Sequence, residues 1–90
     1  MSGIPGKRSL NLRKHGIAFE DAIKLFERPY LEGPDDRRDY GEARSIVYGE
    51  AQGRVLALVY TWRSGKRRII SARKATSHEQ EAYYRTIYAQ

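Results

Sequence analysis

The order of patterned segments predicts an α+β fold: two N-terminal helices, an antiparallel β-meander of three strands, and a C-terminal helix. Three observations carry this. Phe19, Ala22, Ile23 and Phe26 recur at helical spacing. Val55-Leu-Ala-Leu-Val-Tyr-Thr-Trp62 is apolar at nearly every position and lies between two short turn sequences. Thr76-Ser-His-Glu79 has the spacing of a capping box and opens a further helical stretch.

Taken in order, residues 1–9 are rich in Gly, Pro and basic side chains and are expected to be mobile, with 10–90 forming one domain. A first helix is expected over about Leu10 to His15, closed by Gly16 as a C-cap, with Lys14 and His15 at the negative end of its dipole. A second runs from about Phe19 to Glu27, with Glu20 and Asp21 in its first turn and Pro29 beyond its end. Tyr30 to Glu42 reads as an acidic loop, Gly33-Pro34-Asp35-Asp36 being a turn. Strands follow at about Arg44 to Gly49, Arg54 to Arg63 and Lys66 to Arg73, joined by hairpins at Ala51-Gln52-Gly53 and Ser64-Gly65. In the middle strand Leu56, Leu58, Tyr60 and Trp62 face one way and Val55, Ala57, Val59 and Thr61 the other. Strict alternation in the last strand groups Ile69, Ser71 and Arg73 on one face and Arg68, Ile70 and Ala72 on the other. The last helix spans about Thr76 to Tyr88, and the helices are expected to pack on one face of the sheet.

Net charge +6 and a pI near 9.8 favour a polyanionic or acidic partner, and the excess is mostly arginine, whose planar fork suits phosphate or carboxylate. The absence of cysteine excludes a disulfide framework and thiolate metal sites, and fits a reducing compartment. The longest apolar run, Val55 to Tyr60, is far short of a membrane span, and residues 1–9 lack the apolar core of a secretory signal. A cytoplasmic protein is expected, with no membrane partner.

The charge is concentrated. Between Ala51 and His78 there are seven basic side chains and no Asp or Glu. A cationic cluster on a sheet holds its groups at fixed separations, as a phosphate-reading surface or a phosphodiester-cleaving site requires. A metal-independent ribonuclease must activate a ribose 2′-hydroxyl, neutralise the phosphate and protonate the leaving 5′ oxygen, and arginine suits the second task. Candidate catalytic residues are Arg44, Ser71, Arg73 and His15. Ser71 is placed to bond a phosphate oxygen, and Arg73 either to clamp the phosphate or to pair with Glu79 or Glu81. His15 is the candidate base, against a plain role in capping its helix. Candidate RNA-binding residues are Arg63, Lys66, Arg67, Arg68, Lys74 and Lys14. The histidines and Asp35, Asp36 and Asp39 lack metal-ligand spacing, so no metal and no cofactor is expected.

Several segments together resemble the BrnT family of type II toxins: Asn11-Leu-Arg-Lys-His-Gly16, Ile17-Ala-Phe-Glu-Asp-Ala22, Asp36-Arg-Arg-Asp-Tyr-Gly-Glu42, Arg44-Ser-Ile-Val-Tyr-Gly49, Arg68-Ile-Ile-Ser-Ala-Arg-Lys-Ala75, and Glu79 with Tyr83. The likeness covers roughly residues 11 to 88. It implies a RelE-like fold and a growth-inhibiting ribonuclease. It further implies a small BrnA-like antitoxin with a ribbon-helix-helix part, through which the complex binds operator DNA. Two departures stand out. Family members open with a short strand resembling Phe-Glu-Trp-Asp, where this chain has Ser2-Gly-Ile-Pro-Gly-Lys-Arg-Ser9. The residue before Phe19 is often Ser in the family, and Ala18 here predicts a cap weaker by about 1 kcal/mol. The alternative reading, from another class, is a non-catalytic nucleic-acid- or antitoxin-binding module, a decayed toxin.

Overall fold

The computed structural model describes residues 17–36 and 41–89. The first helix expected over 10–15, its Gly16 cap and the mobile 1–9 segment lie outside these residues. Helix α1 spans Phe19–Ala22 and continues as a 3₁₀ segment, Ile23–Glu27. Four strands follow, β1 Leu31–Pro34, β2 Ser45–Ala51, β3 Arg54–Arg63 and β4 Lys66–Lys74, and then helix α2, Ser77–Tyr88. The strands form one antiparallel sheet in the order β1-β2-β3-β4, so the fold is α+β with a meander at its centre.

Local sequence explains most of this. Ala18 stands at the N-cap of α1 and its side chain makes no cap hydrogen bond, as the departure from Ser predicts. The 3₁₀ continuation alters which residues are buried. A period of three aligns Phe19, Ala22 and Leu25, so Leu25 is fully buried while Ile23 is 45% exposed. The expected stripe through Ile23 is corrected accordingly. Both tight hairpins use left-handed pairs, Gln52 and Gly53 (φ 59° and 75°) and Ser64 and Gly65 (φ 55° and 76°). That twist matches the strands they join, and glycine adopts it without strain. Thr76 and Glu79 close a complete capping box at the start of α2.

Three expectations need correction. Leu31–Pro34 is an edge strand rather than part of a loop, pairing with Tyr48 through Ser45. Pro34 is tolerated because it ends an edge strand, where a missing N–H leaves no central ladder broken. The pairing runs on one step further, the Asp35 N–H donating to the Arg44 carbonyl at 2.9 Å. Secondly, β4 does not alternate strictly. Val59 opposes Ser71 but Tyr60 opposes Ile69, so Ile70 is the extra residue of a β-bulge. Ile69 therefore shares a face with Tyr60, Arg67 and Ala72, while Arg68 joins Ser71 and Arg73 on the other. Thirdly, the helices flank both faces.

On the first face α1 and the 3₁₀ segment cover a core of Ile17, Ala22, Leu25, Val47, Leu56, Leu58, Tyr60 and Ala72. Gly49 permits this approach: a Cβ there would lie 3.0 Å from the Leu25 Cβ and 3.2 Å from the Tyr30 Cβ. On the second face Tyr83 of α2 packs with Val55 and Ala75, flanked by Leu31, Tyr48 and Ile87. The Tyr83 hydroxyl donates to the Pro29 carbonyl at 3.2 Å, and burial pushes its pKa up to about 12. Every residue of β3 from Val55 to Thr61 is buried, as its unbroken apolar run predicts.

Candidate functional site

The second face holds the candidate site, beside the end where α2 packs on Val55, Leu31 and Tyr48. The register sets out its rows. Leu31, Tyr48, Ala57 and Arg73 oppose one another across four strands, and the next row holds Gly33, Ile46, Val59 and Ser71. In the row after that, Arg68 opposes Thr61, and extending the β2 register one step beyond Ser45 brings Arg44 to the other side of Thr61. Strands lie about 5 Å apart, so Arg44 and Arg68 flank a strip roughly 10 Å wide with Ser71 one row behind it. The bulge makes this grouping possible. Were Ile70 paired as a regular strand residue, strict alternation would turn Arg68 away from Ser71.

Charge pairing on this face is extensive. Glu42 accepts from Arg44 Nε at 3.1 Å and from Arg63 Nη2 at 3.2 Å, joining two candidate cations through one carboxylate. The Arg44 hydrogen bond holds the Glu42 pKa below its ordinary value. The Thr61 hydroxyl donates to the Ala43 carbonyl at 2.7 Å, which fixes the entry of β2 beside them. At the other end Arg73 donates to both oxygens of Glu79, at 2.8 and 2.9 Å, and to the Lys74 carbonyl at 3.3 Å. Glu79 also accepts from the Thr76 N–H at 2.8 Å and from the Tyr48 hydroxyl at 3.2 Å. The Arg73 hydrogen bonds, ahead of the cap bond, lower the Glu79 pKa from 4.5 to about 2. A fork-on-carboxylate pair of this kind fixes the plane of the guanidinium.

The structure thus brings together Arg44, Arg63, Arg68, Ser71 and Arg73, with Lys66 at the exposed hairpin tip opposite Arg63. Arg67 and Lys74 are turned to the other face, opposite Trp62 and Leu56. The Arg67 guanidinium stacks over Phe26, Tyr60 and Trp62, 4.2, 5.1 and 4.9 Å from the ring centres. His15 and Lys14 fall outside the described residues. Sequence reasoning passed over Glu42 and Tyr48 as partners. Glu42 lies in the bend that precedes β2, only two residues from Arg44. Tyr48 reaches Glu79 across 31 residues of sequence, and no local pattern announces that. Among the described residues no three His, Asp or Glu side chains gather as metal ligands.

The chain matches, over residues 5–79, the family described as "Ribonuclease toxin, BrnT, of type II toxin-antitoxin system". It belongs to the BrnT family. That match spans α1, the whole sheet and the first residues of α2, so the arginine face and its Glu79 partner fall within it. BrnT membership indicates a ribonuclease toxin with an antitoxin partner and RNA as its substrate. No curated protein matches the chain. No helix among the described residues is long and apolar enough to cross a membrane.

Proposed function

We propose that this BrnT chain cleaves RNA without a metal ion at the face bearing Arg44, Arg68, Ser71 and Arg73. The single observation behind this is the bulge at Ile70, which gathers Arg68 with Ser71 and Arg73 opposite Arg44. In this reading the 2′-oxygen of the ribose attacks the adjacent phosphorus and the bond from phosphorus to the 5′ oxygen breaks. The 2′ proton passes to a base, His15 in this assignment, and the 5′ oxygen leaves with a proton from an acid. Arginines carry the charge that grows on the phosphate, where a fixed donor in a water-poor site is worth most. Ser71 donates its hydroxyl to a non-bridging oxygen, and Arg73 is held in plane by Glu79. Arg63 and Lys66 contact the RNA backbone on either side, and Lys14 extends that contact. Lys74 faces away from this surface, and its contact is with more distant phosphates.

The partners in this reading are RNA and a BrnA-like ribbon-helix-helix antitoxin, with operator DNA reached only through the complex, in the cytoplasm. The pairing of Arg44 and Arg63 with Glu42, and of Arg73 with Glu79, favours the second reading, a binding module without turnover. Digestion of RNA by the purified chain, with and without ribosomes, separates the two. Fragments ending in a 2′,3′-cyclic phosphate, lost in the Arg73→Ala variant, support the ribonuclease. Tight RNA or antitoxin binding without fragments supports the module.

A further inference from the structure

The face of the sheet opposite the arginine cluster carries an open groove of about 510 Å³ lined by Phe19, Glu20, Ile23, Phe26, Arg67 and Ile69. We propose that this groove is the anchoring site for the antitoxin, receiving a bulky apolar side chain against Phe26 and Ile23 and a carboxylate on Arg67. The proposal rests on the toxin–antitoxin reading above and adds the surface and the chemistry of the contact.

Three features carry it. First, the groove is apolar where a surface ought to be polar. Ile23 is 45% exposed, and Trp62, which stacks on Arg67 at the groove's end, is 57% exposed. Large apolar groups left open side by side mark contact surfaces. Secondly, the cation in the groove forms no ion pair among the described residues, although Glu20 lines the same groove. Arg28, Arg44, Arg63, Arg73 and Arg85 each pair with a Glu, but Arg67 has no carboxylate partner among the described residues. It instead lies against three aromatic rings while remaining exposed, and these contacts favour one direction for its side chain. An exposed guanidinium resting on aromatic faces is complementary to an incoming carboxylate. Thirdly, the chain's +6 charge, and the acid-free stretch from Ala51 to His78 that contains Arg67, attract an acidic segment and repel a second copy of the chain.

The groove also lies at the right end of the molecule. Trp62 and Arg67 oppose each other one row from the β3–β4 turn, and Thr61 and Arg68 are the next pair along on the opposite face. A segment anchored at Arg67 needs to cross only the hairpin tip to reach Arg68 and Arg44. The anchor supplies affinity, and the continuation covers the phosphate-binding face.

The test uses the full chain and the purified antitoxin from the neighbouring reading frame, with Kd and RNA cleavage measured for each variant. Arg67→Glu and Ile23→Asp should each weaken antitoxin binding by about tenfold or more, the scale of a lost anchor at an interface centre. Ile23→Asp should leave cleavage by the free toxin unchanged. In the wild-type chain, a tryptophan-free antitoxin should shift the emission of Trp62, the one tryptophan, to shorter wavelength. Unchanged affinity in both variants, with binding lost in Arg44→Glu instead, places the antitoxin on the other face and overturns the proposal. So does an unshifted Trp62 emission. Trp62→Ala weakening RNA binding while sparing the antitoxin would make the groove a stacking site for bases and overturn it equally. If the wild-type chain cleaves no RNA, the ribonuclease reading fails, and the antitoxin titrations still decide the groove.

Discussion

Two arginines of one strand, Arg67 and Arg73, have opposite fates, and the contrast separates the two faces of the sheet. Arg67 is turned to the apolar face and lies against aromatic rings, with no carboxylate partner among the described residues. Arg73 is turned to the polar face and gripped by a carboxylate that itself caps a helix. Neither residue type nor spacing distinguishes them. Six positions apart, strict alternation puts both on one face, and the extra residue Ile70 puts them on two. A cationic run on a strand therefore divides into two surfaces with different chemistry, one lined by aromatic rings and one by carboxylate-paired arginines.

Arg73 and Lys74, neighbours in sequence, lie on opposite faces. Arg73→Ala should lower RNA cleavage by about 10² to 10³, the cost of losing a preorganised donor to a transition-state charge. Lys74→Ala, one residue on but facing the opposite side, should weaken binding slightly, and that loss should shrink in high salt. Circular dichroism must show both folded, since Arg73 also ties β4 to α2. Equal and small effects would return the cluster to a diffuse binding face.

A second break addresses the apolar face. Gly49→Ala places a methyl group 3.0 Å from the Leu25 Cβ, where the 3₁₀ segment meets β2. Overpacking of this kind costs roughly 1–3 kcal/mol, to be read from urea or thermal unfolding. The groove between Phe19 and Ile69, formed by the same helical segment, should loosen with it. The arginine face should keep its cleavage activity per folded molecule.

Much of this was legible. The meander, its hairpins and the capping box follow from an unbroken apolar strand, two turn pairs containing Gly and a Thr-x-x-Glu spacing. The edge strand at Leu31–Pro34 was not, because Gly33-Pro34 carries the chemistry of a turn and pairs only by virtue of lying at a sheet edge. Leu25 and Ile23 exchanged roles because a 3₁₀ period cannot be told from an α period over so short a stretch. In the candidate site, period two places Ser71 with Arg73, whereas the face of Arg68 depends on a bulge for which the sequence holds no signal.

A third, milder test sharpens that last point. Deleting Ile70 from a regular strand would invert every side chain on one side of the cut. At a bulge it removes the unpaired residue and leaves Ile69 opposite Tyr60 and Ser71 opposite Val59. The shortened chain should fold and keep both faces, losing about 1 kcal/mol for a half-buried apolar side chain. It should retain antitoxin binding and measurable cleavage. Failure to fold, or loss of both functions together, would mean that the twist of the bulge and not its count is what the sheet requires.

The smallest expected effect concerns acid. Glu79 titrates at about 2 in the folded chain against an ordinary 4.5, chiefly because Arg73 hydrogen-bonds its charged form. A lowered carboxylate pKa adds stability that is complete above about 4.5 and is lost as pH falls towards about 2. The pair is partly open to solvent, so the gain is modest and declines with salt. Glu79→Gln should therefore flatten the acid limb of the stability profile between those values and change it little at neutral pH, where a Gln oxygen still accepts from the Thr76 N–H. In an Arg73→Ala background the same substitution should alter the acid limb far less, because the dominant cause of the shift has gone. If the two backgrounds respond alike, the cap and not the arginine holds Glu79, and Arg73 is free to leave it for phosphate.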